Sequence, residues 1–227
     1  MKITRFILVL GVLAVLGGGG FLAAKLVGNG IGTEAEQPGQ VDEKLIQERQ
    51  AAEREQPRFT GELLGMFIGP SEAAWPEKAR TDQAQLVAGG CVGVPRSAAA
   101  ALGFPRPLRL PAEYVAEEQQ SATACSGNVT GLGWRYTATG ANGIAANISI
   151  SRAVAKALVY DVAADRVAVQ SLGGRDAIFI RPITPDGLAQ ISYVVFPESF
   201  GVTEIQTFNL PEVGVLAVAE AVAEASK

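Results

Sequence analysis

The sequence predicts an α+β domain, an antiparallel sheet of about five or six strands covered by a C-terminal helix, with an N-terminal transmembrane helix and a helical stalk before it. Three observations lead to this prediction. Residues 6–27 form an almost uncharged apolar run. Residues 121–208 contain short segments with period-two alternation, separated by turn residues. Residues 212–226 carry an apolar stripe at helical spacing.

The apolar run at residues 6–27 is long enough to span a bilayer, which takes about 20 residues of helix. Lys2 and Arg5 precede it without an acidic residue, so the positive-inside rule predicts a cytoplasmic N-terminus and an exported remainder. Four consecutive glycines shorten its strongest apolar core to the length of a signal peptide. We therefore expect a signal anchor or transmembrane helix at residues 1–27, with cleavage and secretion as the alternative.

Residues 28–57 are predicted to be a linker followed by a polar stalk helix. Residues 41–56 are rich in Glu, Gln, Arg and Ala, which are good helix formers. Asp42 can cap this helix, and Pro57 ends it. Its apolar side chains are few, so a solvated stalk is expected, with a weak coiled coil as the alternative. The extracytoplasmic α+β domain then comprises residues 58–227.

The first half of this domain is predicted to contain short helices and extended segments. Residues 58–70 are apolar but interrupted by three glycines, and we expect them to pack on the domain. Residues 71–90 have helical composition and end in two glycines. A short helix is expected at 97–102. Residues 104–114 carry three prolines, which favours an extended crossover over a helix or a central strand.

The sheet is predicted from the second half of the chain. Turn residues at 140–143 and 184–187 separate apolar or alternating segments, and Pro211 opens the closing helix. Residues 153–165 have mixed helix and strand character. The expected strands are 121–126, 131–139, 144–151, 167–172, 177–181, 188–196 and 202–208.

The composition excludes several classes of site. The chain has no histidine, which removes Ser-His-Asp and Cys-His nucleophile systems, histidine zinc sites and histidine pH switches. It carries 23 acidic and 19 basic side chains, so an acidic exported domain is predicted, and nucleic acid is not an expected partner. No catalytic residue, metal ligand or cofactor is therefore predicted, and we expect a protein that is not an enzyme.

Cys91 and Cys125 are the two cysteines of the chain. They are too few for a thiolate zinc cluster and too far apart for a C-x-x-C redox pair. In an oxidising compartment two cysteines usually pair, and closing this loop would stabilise the domain by about 4 kcal/mol. A disulfide is expected, with two buried thiols or one reactive thiol as alternatives.

One passage resembles a known kind of domain. An Ala-rich segment is followed by Gly-Phe-Pro at 103–105, a Leu-Pro turn at 110–111, an aromatic hairpin, a Leu-Gly-Gly strand and a closing helix. Over roughly residues 97–226 this order resembles the uncharacterised extracytoplasmic domain at the C-terminus of anti-sigma-factor-like bacterial membrane proteins. It is similar in outline to lipoprotein-carrier-like and photosystem-II-P-like domains. The resemblance implies such a domain but not anti-sigma activity. About five residues precede the apolar run, which leaves no room for the expected cytoplasmic sigma-binding segment, and Ser-Tyr-Val at 192–194 lacks the tryptophan expected there.

Four side chains are candidates for contact with a ligand or partner. Trp134 and Tyr136 lie on one side of a predicted strand and could line a ligand cleft, although such aromatic pairs also form ordinary core. Arg175 and Asp176 follow two glycines at a strand start. They could form a charged pair at a pocket rim, and the alternative is a solvated turn.

These observations favour a membrane-tethered exported domain with a non-enzymatic role in protein interaction or sensing. Its expected partners are the membrane, through the N-terminal helix, and an unknown envelope protein. A binding module for a small apolar ligand or lipid, held between sheet and helix, is the alternative. A carboxylate-dependent hydrolase is a more remote one.

Overall fold

The computed structural model describes residues 42–95, 97, 110, 114–117, 121–125, 128–139, 143–199 and 201–225. These belong to one compact unit, Pro38–Lys227. The predicted anchor and linker, residues 98–102 of the predicted short helix and most of the proline-rich crossover lie outside the described residues. Among the described residues, no helix combines the length and apolar character needed to cross a bilayer.

Helices and strands follow the order expected of an α+β domain. The described helices are α1 Glu43–Arg54, α2 Glu77–Val87 and α3 Glu212–Ala225, with short 3-10 turns at Glu72–Ala74 and Ala164–Arg166. The described strands are β1 Gly61–Leu63, β2 Met66–Gly69, β3 Cys91–Val94, β4 Val115–Glu117, β5 Ser121–Cys125, β6 Asn128–Thr139, β7 Ala145–Ala153, β8 Ala157–Val159, β9 Val167–Leu172, β10 Arg175–Ile180, β11 Ile191–Pro197 and β12 Val202–Phe208.

The strands form two sheets. The large sheet has the order β3-β5-β6-β7-β12-β11-β10-β9, and β4 also pairs with β6. Its pairs are antiparallel. The small sheet has the order β1-β2-β8, in which β2 and β8 are parallel. An α+β domain with a large antiparallel sheet and a C-terminal helix is thus confirmed.

The expected strand number was wrong: instead of one sheet of about five or six strands, the described residues form a large sheet of nine strands and a small sheet of three. The additional strands are short, and their own sequences carry no period-two signal. β2 and β8, for example, pair through Phe67 with Ala157 and Gly69 with Val159, which are far apart in the chain. Such strands are determined by the partner edge, because three or four residues have too little pattern to specify a strand alone.

The two faces of the large sheet are covered by different layers. We call the side under α3 the helix face. The predicted stripe of α3, Val215, Val218, Ala219 and Val222, is buried there against Phe179, Val194 and Ile205. The opposite side, the small-sheet face, carries Ile178, Val195 and Val202, which pack with Met66, Ile68 and Leu158 of the small sheet. The sheet therefore separates two apolar cores.

Helix α1 is as polar as the sequence predicts and none of its residues is buried. Asp42 caps it by accepting hydrogen bonds from the backbone N–H groups of Lys44 and Leu45, at 3.0 and 3.2 Å. The helix is bound to the rest of the unit through polar contacts. Glu53 forms an ion pair with Arg166, which lies just before β9. These contacts replace the apolar packing that usually holds a surface helix.

Candidate functional site

The two cysteines form a disulfide. Cys91 of β3 and Cys125 of β5 are direct partners in the register of this antiparallel pair, and their Cα atoms are 4.2 Å apart. The predicted pairing is therefore found in the structure. It closes a loop with a sequence separation of 34 residues at one edge of the large sheet.

Trp134 and Tyr136 are part of the core on the helix face. Their exposed fractions are 8% and 4%, and their ring centres are 6.4 Å apart. In register they lie opposite Ile150 and Ile148 of β7. Both belong to the cluster that packs under α3. Trp134 and Tyr136 thus lie in the core, which was the alternative to a position in a ligand cleft.

Arg175 and Asp176 do not form a charged pair. Successive strand residues point to opposite faces, so the two side chains diverge from the start of β10. Arg175 donates a 2.9 Å hydrogen bond to Glu198, and its guanidinium carbon lies 4.8 Å from the ring centre of Phe196. Asp176 is exposed. Arg175 therefore connects the start of β10 to the end of β11 through its contacts with Glu198 and Phe196.

A line of polar side chains crosses four strands on the small-sheet face. Arg135 of β6 is the register partner of Ser149 of β7, which is the partner of Gln206 of β12, which is the partner of Tyr193 of β11. We call these four residues the polar row. Each is partly exposed. At about 4.8 Å per strand, the row extends for about 14 Å across the sheet.

The polar row is not used by the fold in the way that other polar side chains are. Among the residues that the structure describes, no hydrogen bond or ion pair engages the side chain of Arg135, Ser149 or Gln206. An arginine has five N–H donors and no acceptor, so a guanidinium without a partner in the domain can bind a carboxylate or carbonyl oxygen of another molecule. The row therefore offers donors and acceptors to a molecule outside the domain.

Sequence reasoning missed the polar row. Arg135 and Ser149 alternate with apolar residues along their strands, and this pattern predicts an ordinary solvent-exposed face. Only the register across β6, β7, β12 and β11 brings these residues into one line. The available signal was the polar character of alternate positions in two neighbouring predicted strands.

A buried carboxyl group lies beside the row. Glu204 points to the small-sheet face two residues before Gln206 and is 7% exposed. Its carboxylate accepts a hydrogen bond from the hydroxyl of Tyr160, which follows β8 and is also 7% exposed. The ring of Tyr160 packs on Tyr193 with 4.7 Å between centres. Tyr193 therefore joins the polar row to the buried pair.

Burial dominates the electrostatics of this pair. It raises the pKa of Glu204, and the hydrogen bond from Tyr160 opposes that shift. Burial and the nearby Glu204 raise the pKa of Tyr160 well above its ordinary range. The same causes raise the pKa of Tyr193 to about 12. The pair can therefore bind and release a proton at the carboxyl group while both phenols stay neutral.

The described residues contain no group of three or more His, Cys, Asp or Glu side chains able to hold a metal ion. A scan against protein-family models and searches of curated proteins and solved structures found no match to this chain. The likeness to extracytoplasmic domains of anti-sigma-factor-like proteins stays an expectation from the residues. Function is accordingly inferred from the polar row and the pair beside it.

Proposed function

We propose that this protein is a non-enzymatic, membrane-tethered exported domain that binds a partner protein of the cell envelope through the polar row. The observation that carries the proposal is Arg135, whose guanidinium has no acceptor among the described residues although the side chain is partly buried. A carboxylate of the partner would supply that acceptor with a strong, charge-assisted geometry. Ser149 and Gln206 would add neutral hydrogen bonds along the same line.

Two observations support tethering and export. The apolar run at residues 6–27, preceded by Lys2 and Arg5, has the length and charge asymmetry of a signal anchor. The disulfide between Cys91 and Cys125 is typical of proteins outside the reducing cytoplasm. Together they favour a domain held on the outer side of a membrane.

The chemistry around the row favours a protein over a glycan. Sugar recognition commonly uses an open aromatic face, but the ring of Tyr193 packs on Tyr160. Next to the row, Phe208 is the register partner of Ile191, which is 41% exposed. Apolar side chains beside an arginine and neutral polar groups are the usual mixture of a protein interface.

Site-specific photo-crosslinking in native membranes tests this proposal. We would place p-benzoylphenylalanine at Ala145, which is exposed on the same face of β7 as Ser149. The matched control position is Ala217, exposed on α3 at the opposite side of the sheet. We expect a partner adduct from Ala145 only, and at least a tenfold loss of it in Arg135→Ala. Equal adducts from both positions, or no effect of Arg135→Ala, would contradict the proposal.

A second candidate function is binding of a small apolar ligand on the helix face. Ser192 and Thr207 are register partners there, each 1% exposed, and neither hydroxyl has a hydrogen-bond partner among the described residues. A ligand with one polar group could satisfy both. Native mass spectrometry of the full chain should then reveal a bound small molecule that Ser192→Ala with Thr207→Val removes. A wild-type spectrum showing only the bare chain would argue against it.

A further inference from the structure

We infer that Glu204 and Tyr160 form a proton-binding switch between the two sheets, closed when Glu204 is neutral, which also controls the polar row. The second part of this inference rests on the proposed function. The switch itself depends only on the packing of the small sheet against the large one. No histidine is involved, since the chain has none.

The position of the pair makes it a link between layers. Glu204 lies within β12, between its register partners Ser151 of β7 and Val195 of β11. Tyr160 belongs to the small-sheet side, where its backbone N–H donates a 2.9 Å hydrogen bond to the carbonyl of Gly69 at the end of β2. The hydrogen bond from Tyr160 to Glu204 therefore joins the small sheet to the large sheet.

The Tyr160 hydroxyl is the one group described around Glu204 that stabilises a negative charge there, and no described cation adds to it. The titratable groups that face it are Tyr160 from the small-sheet side and Tyr193 from β11. From β7 and from its own strand it meets the neutral side chains of Ser151 and Gln206. The rest of the layer is apolar, with Met66, Ile68, Leu158, Ile178, Ile180, Val195 and Val202.

Arg166, which acts electrostatically on Tyr193, is already engaged in other contacts. The charge of Arg166 lowers the pKa of Tyr193, which places it within electrostatic reach of the ring. Its side chain is paired with Glu53 and also donates to the carbonyls of Arg181 and Ile191. Among the residues that the structure describes, no cation forms an ion pair with Glu204.

Ionisation of Glu204 should loosen the contact between the sheets. An unpaired carboxylate is costly in an apolar layer and is stabilised when water reaches it. Burial raises the pKa of Glu204 in the folded state above that in the unfolded chain. The stability gained from the neutral carboxyl group is therefore complete below the unfolded-state pKa, and it is lost as the pH rises through the folded-state pKa. The small sheet is therefore packed most tightly in acid.

Ionisation of Glu204 should also affect the polar row, in two ways. Gln206 is two residues from Glu204 on the same face of β12, about 7 Å along the strand. A negative charge at Glu204 would repel a partner carboxylate drawn to Arg135. Tyr193, the last member of the row, packs on Tyr160 and would shift with it. Partner binding should accordingly be stronger at acidic pH.

Hydrogen exchange of the full chain in nonionic detergent, from pH 5 to pH 8 and corrected for intrinsic rates, tests the switch. Wild-type protein should show at least tenfold faster exchange of β2 and β8 at pH 8 than at pH 5. The β5–β6 hairpin, which contributes no described residue to the small-sheet layer, should be unchanged and serves as internal control. Glu204→Gln should hold the slow, acid-like rate throughout. A wild type without this pH dependence, or a Glu204→Gln variant that behaves like wild type, would overturn the switch.

The Tyr160→Phe variant provides a second test, because a purely structural role of Tyr160 would not change the pH of the exchange transition. The hydrogen bond from Tyr160 lowers the pKa of Glu204, so its removal should shift the exchange transition to higher pH. The phenyl ring keeps the packing against Tyr193. A transition displaced to lower pH, or left in place, would contradict the assigned role of Tyr160.

Crosslinking from Ala145 at pH 5.5 and pH 7.5 then separates the two proposals. More adduct at pH 5.5, with no difference in Glu204→Gln, supports control of the row. Equal adducts at both pH values in wild type overturn that control. Absence of any adduct at both values contradicts the proposed function, whereas the exchange experiment alone decides the switch.

Discussion

Cys125 lies directly opposite Cys91 across the β3–β5 pair, with 4.2 Å between the Cα atoms. Cys125 is buried, whereas Cys91 is exposed. The bond thus fastens an edge strand of the large sheet to its inner neighbour. Edge strands have a ladder partner on one side only, so such a bond contributes most where backbone pairing is weakest.

Replacement of both cysteines tests the contribution of this disulfide. Cys91→Ser with Cys125→Ser should lower the free energy of unfolding by about 2–4 kcal/mol, because the unfolded chain is no longer restricted by the closed loop. Urea denaturation of both proteins without reductant measures the difference. Reductant should bring the wild type to the same midpoint, and free thiols labelled in the exported wild type would contradict the pairing.

The neighbours Arg175 and Asp176 should differ in their effect on stability. Arg175→Ala removes the ion pair with Glu198 and the contact with the Phe196 ring, which together are worth about 1–2 kcal/mol at this partial exposure. Asp176→Ala should change the free energy of unfolding by less than about 0.5 kcal/mol, as expected at an exposed position. Urea denaturation at equal salt compares them. Equal losses in the two variants would refute the assigned contacts.

Gly187 is required for close packing as well as for its backbone conformation. A Cβ built there would lie 1.9 Å from the carbonyl oxygen of Leu210, and its φ is +64°. Gly174 has φ +79° but nothing within 4 Å of a built Cβ, so it isolates the conformational cost. We expect Gly174→Ala to cost about 1–2 kcal/mol and Gly187→Ala more than about 3 kcal/mol. Thermal unfolding would measure both, and similar losses would mean that the contact with Leu210 is not limiting.

Asp186 should make the domain less stable in acid. Hydrogen bonds from the Thr184 hydroxyl and the Leu188 backbone, with Arg49 of α1 nearby, lower the pKa of its carboxyl group. A carboxyl group whose pKa is lowered by folding stabilises the folded state at pH values above its ordinary pKa of 3.8. This stability is lost as the pH falls through the lowered pKa of the folded state. Asp186→Asn should remove this part of the pH dependence between about pH 2 and 5. An unchanged acid titration of stability would show that the carboxylate does not contribute.

Some elements were predictable because their signal is local. The strands at 167–172 and 202–208 have the predicted bounds, since turn residues mark their ends. Helix α3 covers the sheet with the predicted stripe because a spacing of three and four residues defines one face. The core position of Trp134 and Tyr136 was one of two readings of the same alternation, and burial decided between them.

Other features depend on pairing between distant segments. β2 and β8 form a parallel pair whose short strands have no pattern of their own. The adjacency of Arg175 and Asp176 suggested a charged pair or a solvated turn, but in β10 the pleat directs their side chains to opposite faces. The polar row needs the register of four strands, and a shift of one residue would turn Arg135 or Ser149 to the helix face. Local sequence does not contain that register.

The sequence by itself determined the α+β class, the closing helix, the apolar run at its start and the exclusion of histidine chemistry. These properties follow from composition and short-range periodicity. Only the tertiary structure decided that Cys91 meets Cys125, that Arg135 has no acceptor among the described residues, and that Glu204 meets Tyr160 between two sheets. The physical reason is that burial and pairing depend on which strand lies beside which, and those neighbours are set by long-range packing.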